Sequence, residues 1–227
     1  MFYVLLSLLI ISCILYVYFY ERITKKQIFI FKVSTSFFLL MFGLYIFYKE
    51  KIYESYNLFI ILGLFLGFIG DIFLGLRNLF IKYKHLFFVI GIGFFMAGHV
   101  AYINAMFMLF KSSVVLLVVL VIMLLLFAII FTSKTNVKFG KTILICHTYS
   151  LLSSIFLSVS LLNAIRLNTL IGFIILFGVI NFVLSDFLLS YLYFANLGKT
   201  KRKIFKKINI VTYYIAQAIL AISIMLI

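Results

Sequence analysis

Runs of about 20 apolar residues, the length needed to span a bilayer, alternate along the chain with short clusters of lysine and arginine. About eight stretches reach that length, near residues 2–20, 28–48, 56–76, 86–110, 112–133, 142–165, 168–194 and 208–227. Within each run the apolar positions are continuous rather than alternating, which excludes the strands of a membrane barrel and leaves helices. The pattern predicts an all-α polytopic helical bundle. Connections of about four to thirteen residues leave no room for a soluble domain, so 1–227 reads as one integral membrane domain.

Composition sharpens this picture. Of 227 residues 67% are hydrophobic and 11% charged, too few polar groups to cover a water-soluble globule. The net charge of +15 would suggest nucleic acid in a soluble protein. Here the cations fall in the breaks between spans, where they set topology, and no nucleic-acid partner is expected. Arg22, Lys25, Lys26 and Lys32; Arg77, Lys82 and Lys84; Lys134, Lys138 and Lys141; and Lys199, Lys201, Arg202, Lys203, Lys206 and Lys207 belong to the odd-numbered connections. Only Lys49, Lys51, Lys111 and Arg166 belong to the even ones. The odd connections are therefore expected on the cytoplasmic side of a bacterial inner membrane, with both termini on the other side. Ile11-Ser12-Cys13 resembles a lipoprotein cleavage site, but no basic segment precedes the apolar run, so it reads as a retained span. Pro and Trp are absent. The interfacial aromatic belt then falls to tyrosines such as Tyr16, Tyr18, Tyr20, Tyr45, Tyr48 and Tyr193.

An internal echo links two helices. Gly70-Asp71-Ile72-Phe73-Leu74-Gly75 in the third resembles Ser185-Asp186-Phe187-Leu188-Leu189-Ser190 in the seventh. Four helices separate them, so the implied 4+4 repeat is of the parallel kind. Asp71 and Asp186 are the only aspartates, and both fall within apolar spans. A carboxyl inside the bilayer is costly unless paired or neutralised, which makes both candidate functional groups. The bland alternative is a helix-to-helix hydrogen bond. On the helical rise, Lys32 enters the membrane from the cytoplasmic side by about 6 Å, Asp71 and Tyr213 by about 9 Å, Gln217 by about 15 Å and His99 by about 20 Å. His99 and Tyr102 share a helix face. Gly63, Gly67 and Asp71 recur every four residues, a stripe that permits close helix approach. Taken singly, Lys32 could only snorkel, Gln217 could only join helices, and His99 could be a core residue. Cys13 and Cys146 read as small hydrophobes. The three histidines lack ligand partners at metal spacing, so no metal and no cofactor is expected.

These residues, in this order, resemble the lysoplasmalogenase family, the YhhN-like membrane proteins, over essentially the whole chain. The matching segments are Phe31-Lys32 with Ser34-Thr35, Gly70-Asp71 with Leu74, Gly98-His99 with Tyr102, Ser185-Asp186, and Tyr213 with Gln217. One departure is Val33, where the family commonly has proline. The resemblance implies a lysophospholipid substrate and hydrolysis of the vinyl-ether bond of lysoplasmalogens, giving a fatty aldehyde and a glycerophospho-headgroup. Water does not attack a vinyl ether directly; the outer vinyl carbon must first take a proton, giving an oxocarbenium ion that water traps. Two neighbouring carboxyls can hold one proton between them and divide these tasks, as in glycosidases. Asp71 and Asp186 are the expected acid-base pair. Lys32 would suit the lipid phosphate, with His99, Tyr102, Ser185, Tyr213 and Gln217 orienting carboxyls or water. A proton-coupled transporter and a non-catalytic lipid-binding scaffold are the rivals.

Overall fold

Backbone amides and carbonyls in hydrocarbon find no water to bond, so each apolar run closes its hydrogen bonds within itself as a helix. A computed structural model, describing residues 1–50, 54–135 and 137–227, has eight α-helices. They are α1 (Phe2–Phe19), α2 (Lys25–Glu50), α3 (Ser55–Leu79), α4 (Lys84–Met108), α5 (Val114–Lys134), α6 (Ile143–Leu167), α7 (Leu170–Phe194) and α8 (Lys199–Ser223). Single 3-10 turns at Ile81–Tyr83 and Gly140–Thr142 lead into α4 and α6. Among the described residues there is no sheet; one isolated antiparallel bridge joins Val137 and Ala195. Seven helices, α1 to α7, are long and apolar enough to cross a membrane, and the chain is a multi-pass membrane protein.

Several ends differ from the hydropathy pattern. α2 begins at Lys25 rather than near 28 because Thr24 and Gln27 form a capping box. The Thr24 amide donates to Gln27 Oε1 at 2.9 Å, and the Gln27 amide donates back to Thr24 Oγ1 at 3.4 Å. α8 starts at Lys199, about nine residues before the expected 208, and its first turns carry the basic cluster expected in a connection. Lysine and arginine are good helix formers, so a charged stretch with no glycine or proline after Gly198 extends the helix without extending the apolar span. α8 therefore falls short as a wholly apolar span. Lys51 lies outside the described residues, as does the side chain of Lys141.

The helices form two compact units, Met1–Ala105 with Gln217–Ile227, and Met106–Ala216. In the first, α2 packs against α1 and α3. Phe42, Ile46, Ile60 and Leu64 are buried there, and the Tyr56 hydroxyl lies 2.7 Å from Ser223 Oγ. The glycine stripe does what its spacing predicts: a Cβ on Gly63 would stand 2.3 Å from the Tyr102 ring, and one on Gly98 would stand 3.4 Å from the Gly63 carbonyl oxygen. α3 and α4 approach closely because those side chains are missing. In the second unit α6 packs against α5 and α7. Asn168, at φ 45, ends α6 in the left-handed conformation that asparagine tolerates, and Thr169 caps α7 by accepting from the Gly172 amide at 3.2 Å.

The repeat has a counterpart in helix lengths. α3 and α7 each have 25 residues, as do α4 and α8, and members of both pairs begin 115 residues apart, the spacing of the two aspartates. Each aspartate lies eight residues before the end of its helix.

Candidate active site

In the first unit α3 carries Asp71 on its glycine-lined face, where it is 2% exposed. Lys32 and Ser36 lie one turn apart on α2, so they share the face that meets it. Lys32 Nζ is 2.9 Å from Asp71 Oδ1, and Ser36 Oγ donates to Asp71 Oδ2 at 2.6 Å. A buried carboxyl is thereby given an ammonium counter-ion and a hydroxyl donor, which offsets the cost of holding charge away from water. Tyr102, on α4, is buried and donates its hydroxyl to Gln217 Oε1 on α8. Tyr102 and Gln217 are themselves 115 residues apart, at equivalent positions of the repeat. His99 is fully buried, with Nδ1 3.0 Å from the Phe95 carbonyl oxygen.

The second unit repeats this arrangement with other side chains. On α6, Tyr149 and Ser153 are one turn apart and both face α7. Tyr149 donates its hydroxyl to Asp186 Oδ1 at 2.9 Å, and Ser153 Oγ lies 3.5 Å from Asp186 Oδ2. Asp186 is half-buried. Ser185 beside it serves a different contact. Its Oγ donates to the Asn209 carbonyl at 3.3 Å, while Asn209 Nδ2 donates to the Ser185 carbonyl and hydroxyl at 2.8 Å each, tying α7 to α8. Tyr213 is buried with its ring 5.9 Å from Phe182 at 71°.

The sequence pattern of the YhhN family matches residues 27–224. The chain belongs to the YhhN family. No curated protein and no solved structure matches it. As a YhhN-family membrane protein it has an enzymatic, lipid-modifying role of the hydrolytic kind. Lys32 and Asp71 are in direct contact, as are Tyr102 and Gln217, while Ser185 and Tyr213 make their described contacts with Asn209 and the Phe182 ring. Sequence reasoning missed Ser36, Tyr149, Ser153 and Asn209 as partners. The signal for Ser36 and Ser153 is their position one turn after Lys32 and Tyr149, visible only once the aspartate-bearing helices are packed on α2 and α6.

Proposed function

We propose that this YhhN-family protein hydrolyses the vinyl-ether bond of lysoplasmalogens in a bacterial inner membrane, with Asp71 and Asp186 as its acid-base groups. The observation carrying the reading is that each intramembrane aspartate is held by two side chains of the preceding helix. Intramembrane carboxyls contacted by neighbouring polar side chains, closely at both oxygens of Asp71 and at one oxygen of Asp186, are preorganised for proton transfer and charge stabilisation. Both lie eight residues from a helix end, off the middle of a 25-residue helix, where a lysolipid can present its glycerol linkage while its chain stays in hydrocarbon.

The chemistry follows from the bond. One carboxylic acid gives its proton to the vinyl carbon remote from oxygen; the π electrons form the new C–H bond, and an oxygen lone pair completes the oxocarbenium ion. The other carboxyl, as an anion, stabilises that cation and takes a proton from the attacking water. The hemiacetal then collapses as its glycerol oxygen leaves with a proton, giving aldehyde and glycerophospho-headgroup. Vinyl ether and water are consumed one for one, with no oxidant and no cofactor. His99, Tyr102, Ser185, Tyr213 and Gln217 support carboxyls or water.

Reaction in D2O tests the proton-transfer step. The aldehyde, trapped at once as a hydrazone, is expected to carry one deuterium on the carbon next to the former carbonyl. An aldehyde without that deuterium, or no aldehyde from the purified protein, would contradict the reading.

A further inference from the structure

The two units keep one geometry and change its chemistry. In each a serine contacts Oδ2 of the aspartate, Ser36 at 2.6 Å and Ser153 at 3.5 Å, although the two serines are 117 residues apart and the aspartates 115. The residue one turn before it differs: Lys32 contacts Oδ1 of Asp71, whereas Tyr149 donates to Oδ1 of Asp186. An ammonium brings a full positive charge and a phenol only a dipole. At 2.9 Å, with the carboxylate side chain 3% exposed and that of the lysine 16%, Lys32 and Asp71 act as each other's counter-ions. Drawing Lys32 onto a lipid phosphate would strip a buried carboxylate of that partner.

We infer that Lys32 is a positioning residue that acts through Asp71, holding it as the standing anion of the reaction, and does not bind the substrate's phosphate. The inference rests on the vinyl-ether reading above. Ser36 holds the second oxygen of Asp71 at 2.6 Å, so that the anion presents one defined edge.

The test compares Lys32→Met and Lys32→Arg on two substrates, a lysoplasmalogen and a 1-alkenylglycerol that lacks the phosphate. Lys32→Met is expected to lower kcat about 100-fold on both, the scale of one acid-base group's contribution, with the ratio of the two KM values unchanged. Lys32→Arg, which restores the charge, is expected to recover about tenfold of that loss on both substrates alike. A rise in KM confined to the phosphate-bearing substrate, with the alkenylglycerol unaffected, would overturn the inference while leaving the vinyl-ether reading intact. If the wild-type protein releases aldehyde from neither substrate, that reading fails. The pairing is then decided by melting temperatures of Lys32→Met, Asp71→Asn and the double variant. A double loss smaller than the sum of the single losses supports the pair, and additive losses refute it.

Discussion

Asp71 and Asp186 differ in what their removal leaves behind. Asp71→Asn takes away the carboxylate that Lys32 pairs with in a buried setting, and breaking one side of such a pair costs about 3 kcal/mol. Asp186→Asn keeps an oxygen to accept from Tyr149 and is expected to melt close to the wild type. Both are expected to lose about 100-fold or more in activity, the usual contribution of a general acid or base. Thermal melting beside a rate assay checks this, and equal destabilisation by the two changes would contradict the described contacts. The two carboxyls stand out in the sequence because no other acidic residue lies inside an apolar run, Glu50 standing at the very end of α2. Their partners do not, because hydropathy reports how deep a residue lies and not which neighbouring helix it faces. Lys32, expected at the lipid phosphate, contacts Asp71.

At the scale of helices, the α3–α4 contact depends on absent side chains. Gly63→Ala would put a methyl 2.3 Å from a ring whose hydroxyl is bound to Gln217, so the ring cannot simply retreat. Overpacking of this kind costs about 1–3 kcal/mol, and a lower melting temperature is the expected readout; an unchanged one would mean that the helices part freely. Asn209→Leu removes both donations to Ser185 and is expected to lower the melting temperature too, by loosening α7 from α8. Seven helices, α1 to α7, were legible as apolar runs, since a run of that length in hydrocarbon has no alternative to helix, and α8 only in its later, apolar part. Their ends were harder to read. The Thr24-x-x-Gln27 box starts α2 ahead of its apolar run, and α8 starts in a basic stretch, because charge marks the end of hydrocarbon and not the end of a helix.

Over the whole molecule, lysine and arginine are concentrated in alternate connections, the bias that the positive-inside rule ties to the cytoplasmic side. We propose that Lys82 and Lys201 face the cytoplasm and Lys111 the opposite side. Single cysteines at these positions, with Cys13 and Cys146 replaced by serine, can be probed in intact cells with a membrane-impermeant thiol reagent. Labelling is expected at 111 and absent at 82 and 201; the reverse pattern would invert the topology. The likeness of the two aspartate-bearing helices was legible in six residues around each aspartate. Its extent was not, since α2 and α6 share little sequence and only the packed helices reveal that Lys32 and Tyr149 hold the same place relative to their aspartates.

The most direct measurement is the rate of fatty-aldehyde release from a lysoplasmalogen by purified wild-type, Asp71→Asn and Asp186→Asn proteins in parallel. Release by the wild type with loss of about 100-fold or more in each folded variant is the predicted result. Wild-type rates in either variant, or no aldehyde from the wild type itself, would contradict the account.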